Sequence, residues 1–185
     1  MPLAYSQMIA LGTIAPDFKL WDTVSGNFYS LNDFDINAPL VIIFSCNHCP
    51  YVLFINEKLV ELANKYMLLG VNLLLISSND VNKYPQDSPE NMKLFAAKHN
   101  YKFAYLYDET QAVALDYAAA CTPDIYVFGK GRKLAYRGQF CSARPSNGQA
   151  PTGDDLAAAL NNLLAGKQVD SKQYPSAGCS IKWKP

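Results

Sequence analysis

Five cysteines and two histidines carry most of the reactive chemistry in this 185-residue chain. Cys46 and Cys49 enclose Asn47 and His48, while Cys121, Cys141 and Cys179 stand apart. An odd number of thiols cannot pair fully within one chain, and a domain of this length needs no disulfide staples. The Cys-x-x-Cys spacing is a weak signal by itself, so its flanks decide. Leu40-Val-Ile-Ile-Phe44 is a continuous apolar run rich in β-branched residues, as expected of a strand buried on both faces. Beyond the pair, Val52, Ile55, Leu59, Leu62, Ala63 and Tyr66 recur on one helical face, with Gly70 placed to end the helix. Cys46 is therefore expected where a strand ends and a helix begins. In the first turn of a helix, unpartnered N–H groups and the macrodipole favour a thiolate. Cys46 is read as the nucleophile and Cys49, one turn on, as the thiol that resolves it. His48 is read as a group tuning the acidity of Cys46.

No metal is expected. Zinc sites want a second close pair of Cys or His ligands, and the remaining cysteines are widely separated. His99, the other histidine, falls on the inner stripe of a helix. Pro50 after Cys49 excludes a Cys-x-x-Cys-His haem site. Gly129–Gly131 belongs to a turn, since no phosphate-binding loop pattern accompanies it.

The elements that must position the pair alternate along the chain. Val71–Ser77 reads as a strand, Ser88-Pro89 opens a helix through His99, and Phe103–Tyr107 is a short strand. Asp108-Glu-Thr-Gln111 resembles a capping box opening a helix through Tyr117. Asp124–Phe128 and Lys133–Arg137 form a hairpin, and Thr152-Gly-Asp-Asp155 caps a last helix closed by Gly166. Phe18–Thr23 and Asn27–Leu31 form an earlier hairpin. The expectation is one α/β domain over 1–185 with a mixed central sheet, an N-terminal β extension (1–35) and a polar C-terminal tail (167–185).

Composition removes other classes. Sixteen basic and sixteen acidic side chains give zero net charge, against a nucleic-acid partner. The longest apolar stretches, Pro39–Ser45 and Met67–Ser77, fall short of the ~20 residues needed to span a bilayer. No secretory pattern is visible at the N-terminus, so a cytoplasmic protein is the default expectation.

Taken together, the strand, Cys46-Asn-His-Cys49-Pro50, the helix, and Cys121-Thr122-Pro123 opening a later strand resemble the thioredoxin-like fold. Gly12-Thr-Ile-Ala-Pro-Asp-Phe18 and the inserted strand and helix at Phe103–Tyr117 resemble its peroxiredoxin and thiol–disulfide oxidoreductase branch. Tyr84–Pro89, Tyr105–Thr110 and Gly178–Trp183 are similar to an uncharacterised peroxiredoxin-like group within it. The resemblance implies a cis-proline at Pro123, and Thr122 and Pro123 holding a partner's backbone as an added strand. It implies a redox-active Cys46–Cys49 disulfide with no other cofactor, exchanging with protein disulfides or small thiols and renewed by a thiol reductant. A peroxidase is the alternative, with Cys46 attacking peroxide, and a redox-inactive binding module is a third reading. Peroxiredoxins place Thr or Ser three residues before the reactive cysteine, where this chain has Ile43. Cys121 and Cys179 are candidate accessory thiols, and Cys141 is read as structural.

Overall fold

The computed structural model describes residues 3–185. Along them run β1 (Leu3–Tyr5), β2 (Lys19–Asp22), β3 (Phe28–Ser30), β4 (Leu40–Phe44), α1 (Pro50–Met67), β5 (Asn72–Ser77) and α2 (Pro89–Lys98). There follow β6 (Ala104–Tyr107), α3 (Ala112–Asp116), β7 (Cys121–Thr122), β8 (Asp124–Phe128), β9 (Leu134–Gly138), α4 (Asp154–Leu164) and β10 (Ala177–Ser180). The main sheet has the order β3-β2-β6-β5-β4-β8-β9. At its centre β4 is parallel to β5 and antiparallel to β8. This is the mixed α/β sheet expected from the sequence, with both hairpins in place.

Strand alternation divides the core in two. Val41, Ile43, Leu73, Leu75 and Val127 pack with residues of α1, α2 and α4. Leu40, Ile42, Phe44, Leu74 and Ile76 face Val113 and Ala114 of α3, with Phe18 and Leu31 from the N-terminal segment. Successive strand side chains point to opposite faces, so a strand covered on both sides is apolar at every position. Each such side chain stabilises the fold by roughly 1.5–3 kcal/mol.

Side-chain capping of the α-helices follows the sequence only at α2, where Ser88 Oγ accepts from Asn91 N–H (3.4 Å) and Pro89 opens the first turn. The start of α1 lies at Pro50, with Cys49 as its N-cap. The expected capping box of α3 is absent. Gln111 occupies the cap in a left-handed conformation, while Asp108 accepts from Ser78 Oγ and the Ala114 N–H. Gly153, at φ 75°, is the N-cap of α4 and makes no side-chain cap bond. A Cβ there would lie 2.7 Å from Phe140 Cζ, so packing and backbone conformation select the residue. His99 caps the C-terminus of α2, half-buried beside Phe95 and Tyr101, and is not a core residue.

The largest departure lies at the chain ends. Residues expected as a polar tail return as β10, antiparallel between β1 and β7. Buried polar groups hold the return: Asn79 Oδ1 accepts from Lys182 N–H (2.8 Å), Gln111 Nε2 donates to the Lys182 carbonyl (2.8 Å), and Ser176 N–H donates to Ser6 Oγ (2.9 Å). Among the described residues no helix is long and apolar enough to cross a membrane.

Candidate active site

Loops meet at the carboxyl end of β4, where ligands of open α/β sheets gather. Ser45–His48 leads from β4 into α1, Ser78–Ser88 follows β5, and Thr122–Pro123, joined by a cis peptide, leads into β8. Cys46 Sγ lies 3.5 Å from Thr122 Oγ1. Cys49 Sγ donates to the Thr122 carbonyl at 3.0 Å. Cys46, Cys49 and Cys179 are free thiols packed in one cluster with Val52, with Tyr51 against them.

Cys46 is not in the first turn of α1. It lies upstream of the N-cap and is 1% exposed, with Cys49 at 0%. Proline lacks an N–H and favours the first helical position, so Pro50 sets the start of the helix. The residues between β4 and Pro50 turn inward instead, carrying Asn47 and His48 against Asp87. Cys46 nevertheless packs in one cluster with Cys49, and both sulfurs lie against Thr122.

Their neighbours act on both thiols. The Cys46 thiol is pushed well up by its hydrogen bond to Cys49, by burial and by the Asp87 carboxylate, with Thr122 acting the other way. Cys49 is pulled down, because Cys46, Cys179 and backbone N–H groups at Val52 and Cys179 donate to it. The Thr122 carbonyl opposes this, since an oxygen 3.0 Å away that can only accept requires a proton on Cys49. The two influences oppose each other at Cys49.

Asp87 was not singled out by its sequence. Its Oδ1 accepts from Asn47 N–H and its Oδ2 from Asn79 Nδ2, both at 2.8 Å. His48 Nδ1 lies 2.8 Å from Oδ2, without the alignment of a hydrogen bond. The imidazole stacks on Tyr84 at 5.5 Å and 5°. Cys46 Sγ, a His48 ring nitrogen and an Asp87 oxygen lie within 4.8 Å of one another. Both Asp87 oxygens also accept N–H donors, which fixes the carboxylate within that group. The signal for Asp87 was its place in Tyr84–Pro89, forty residues after Asn47, a separation no spacing rule detects.

The other thiols divide. Cys179, expected in an exposed tail, is 5% exposed and touches the pair. Cys121, adjacent to Thr122, is outside that cluster: its thiol donates to the carbonyls of Pro123 (3.5 Å) and Ser176 (4.0 Å), and burial pushes its acidity far down. Cys141 is packed in the larger core cluster, as a structural residue would be. The outer edge of Thr122, reserved by the sequence reading for a partner strand, is paired with β10.

A mixed sheet whose central strand runs into Cys-x-x-Cys and a helix, faced by a cis-proline loop, defines a thioredoxin-like protein. Within that fold the chain belongs to the AhpC/TSA family, whose model matches residues 11–137. Family and fold together support a thioredoxin-like redox function. An uncharacterized conserved protein from Geobacillus kaustophilus is 52% identical, with 100% of this chain and 98% of that one covered at a TM-score of 0.98. A hypothetical protein from Sinorhizobium meliloti is 42% identical over 97% and 98% of the two chains, at a TM-score of 0.95. A secreted disulfide oxidoreductase from Mycobacterium tuberculosis shares the fold at 18% identity and a TM-score of 0.61, with 79% and 96% covered. No curated protein matches the chain.

Proposed function

We propose that the protein is a thiol–disulfide oxidoreductase in which Cys46 and Cys49 exchange with the disulfide of a protein or a small thiol. The observation that carries this reading is the use of both Thr122 oxygens, one against each sulfur. With the charge on Cys49, Cys46 donates to it. When that proton crosses to Cys49, the Cys49 thiol donates to the Thr122 carbonyl and the Thr122 hydroxyl can donate to a Cys46 thiolate. Thr122 thus suits a charge on Cys46, and Cys49 is the proton acceptor that the pair itself supplies. His48, if cationic, offsets the Asp87 charge beside Cys46.

In the forward reaction the Cys46 thiolate attacks a partner disulfide, forming a mixed disulfide and releasing one partner thiolate. Cys49, as its thiolate, then attacks Cys46 Sγ. The Cys46–Cys49 disulfide closes and the second partner thiolate leaves, so two electrons have passed from the pair to the partner. A thiol reductant returns the pair to its starting state, and no further cofactor is needed.

Insulin reduction with dithiothreitol as electron donor tests this. Wild-type protein is expected to accelerate precipitation of the insulin B chain, and Cys46→Ser to fall to the dithiothreitol background. Cys49→Ser should accumulate a mixed disulfide on Cys46. Wild-type turnover at background, with stoichiometric consumption of hydrogen peroxide, would instead make the protein a peroxidase.

A further inference from the structure

The edge of Thr122 that a partner strand would use is filled by the chain itself. β10 pairs antiparallel with β7, with Cys179 opposite Thr122 and Ser180 opposite Cys121. This is the geometry of strand addition, in which backbone bonds hold the added segment and alternate side chains enter the site. The side chain so delivered is a buried thiol, packed in one cluster with Cys46, Cys49 and Val52. Cys49 thus shares its buried cluster with two other sulfurs, Cys46 on its own loop and Cys179 on the added strand.

A second observation shows how closely the segment is seated. A Cβ on Gly178 would lie 2.6 Å from the Thr122 carbonyl carbon, closer still to its oxygen, and 3.2 Å from Pro123 N. Only glycine lets the strand lie this near the cis-proline loop, because a Cβ essentially never approaches backbone atoms so closely. Gly178-Cys179 is thus a matched dipeptide: the first residue permits contact with the loop and the second presents sulfur to the pair. Lys182 and Lys184, further along, are fastened to Asn79 and Gln111, so the thiol is held at the site by its flanks on the sheet and beyond it.

We propose that β10 is an internal substrate strand, and that Cys179 is a third redox thiol that exchanges with Cys49. The inference rests on the Cys46–Cys49 redox reading for its source of oxidising equivalents, which is a partner disulfide. Once the Cys46–Cys49 disulfide has formed, the Cys179 thiol loses its proton and its thiolate attacks Cys49 Sγ. The Cys49–Cys179 bond forms, the Cys46–Cys49 bond breaks, and Cys46 leaves as a thiolate that takes up a proton. No electrons are gained or lost. The product ties β10 covalently to α1 and holds the cover over Thr122 in place, so the oxidised protein carries its disulfide in a form a partner strand cannot reach until a thiol reductant opens it.

The test uses the full-length chain and diamide as oxidant, with acid quench, alkylation and peptide mass mapping. Cys46→Ser should still form an intramolecular Cys49–Cys179 disulfide in nearly every chain, and Cys46→Ser/Cys179→Ser should form none. Wild type should yield both Cys46–Cys49 and Cys49–Cys179 linked peptides, and Cys179→Ser the first only. Gly178→Ala, which forces the strand away without touching a sulfur, should lower the Cys49–Cys179 yield several-fold. A free Cys49 in Cys46→Ser, under conditions that close Cys46–Cys49 in wild type, overturns the proposal, as does linkage of Cys179 found only between chains. Insulin reduction scores the oxidoreductase reading separately: a protein inert towards insulin that forms Cys49–Cys179 keeps this inference and loses that one.

Discussion

At the scale of single residues, Asp87 is the group that most constrains the candidate site. It is fully buried, it anchors the loop through the Asn47 N–H, and its charge disfavours a thiolate on Cys46. Asp87→Asn keeps the shape and removes the charge. The alkylation rate of Cys46 against pH should then rise at lower pH than in wild type, because one cause raising that thiol is gone. The new amide also presents a donor towards Asn79 or Asn47, leaving one buried donor unpaired, so a loss of about 1–3 kcal/mol is expected by chemical denaturation. An unchanged Cys46 profile in a folded variant would show that the carboxylate does not act on that sulfur.

At the scale of elements, close approach decides more than capping does. α4 begins where Gly153 fits against Leu62 and Phe140, and no side chain bonds its first turn. Gly153→Ala adds a Cβ at a left-handed position with no free space, and both effects oppose folding. A loss of roughly 2–4 kcal/mol is expected, read as a lower urea midpoint at unchanged slope. By contrast Gly166, also at positive φ, has nothing within 4 Å of a built Cβ. Gly166→Ala should therefore cost only the backbone preference, about 1 kcal/mol. Equal losses at the two sites would mean that packing around Gly153 relaxes freely.

For the whole molecule, Asp124 ties stability to pH. It follows the cis-proline, pairs with Phe44 across the sheet, and burial pushes its carboxyl up to about 7 from 3.8, despite a bond from the Ala120 N–H. The folded chain then holds a proton that the unfolded chain releases. This contribution is complete below pH ~4, is lost as pH rises from there through about 7, and is constant above, because the unfolded state binds fewer protons in that window. The loss is at most a few kcal/mol. Asp124→Asn should flatten that part of the stability profile, measured by urea unfolding between pH 4 and 8. A wild-type profile already flat there would mean that Asp124 is ionised within the fold.

Strand β4, the helix after it and the mixed sheet were legible in the residues because they rest on local signals, an all-apolar strand and a helical stripe, whereas the cis-proline came only through the family resemblance. The sequence also marked Cys46, His48 and Cys49 as neighbours, which adjacency alone ensures. The folded chain alone reveals that Thr122 faces both sulfurs, that Asp87 stands against His48, and that β10 closes over the pair. Each of these depends on contacts between residues tens to more than a hundred positions apart. Periodicity reports which face of an element is buried, and it carries no information about which distant polar group is buried with it. A thiol in a short polar segment reads as solvent-exposed until Gly178, Asn79 and Gln111 are seen to hold that segment on the sheet.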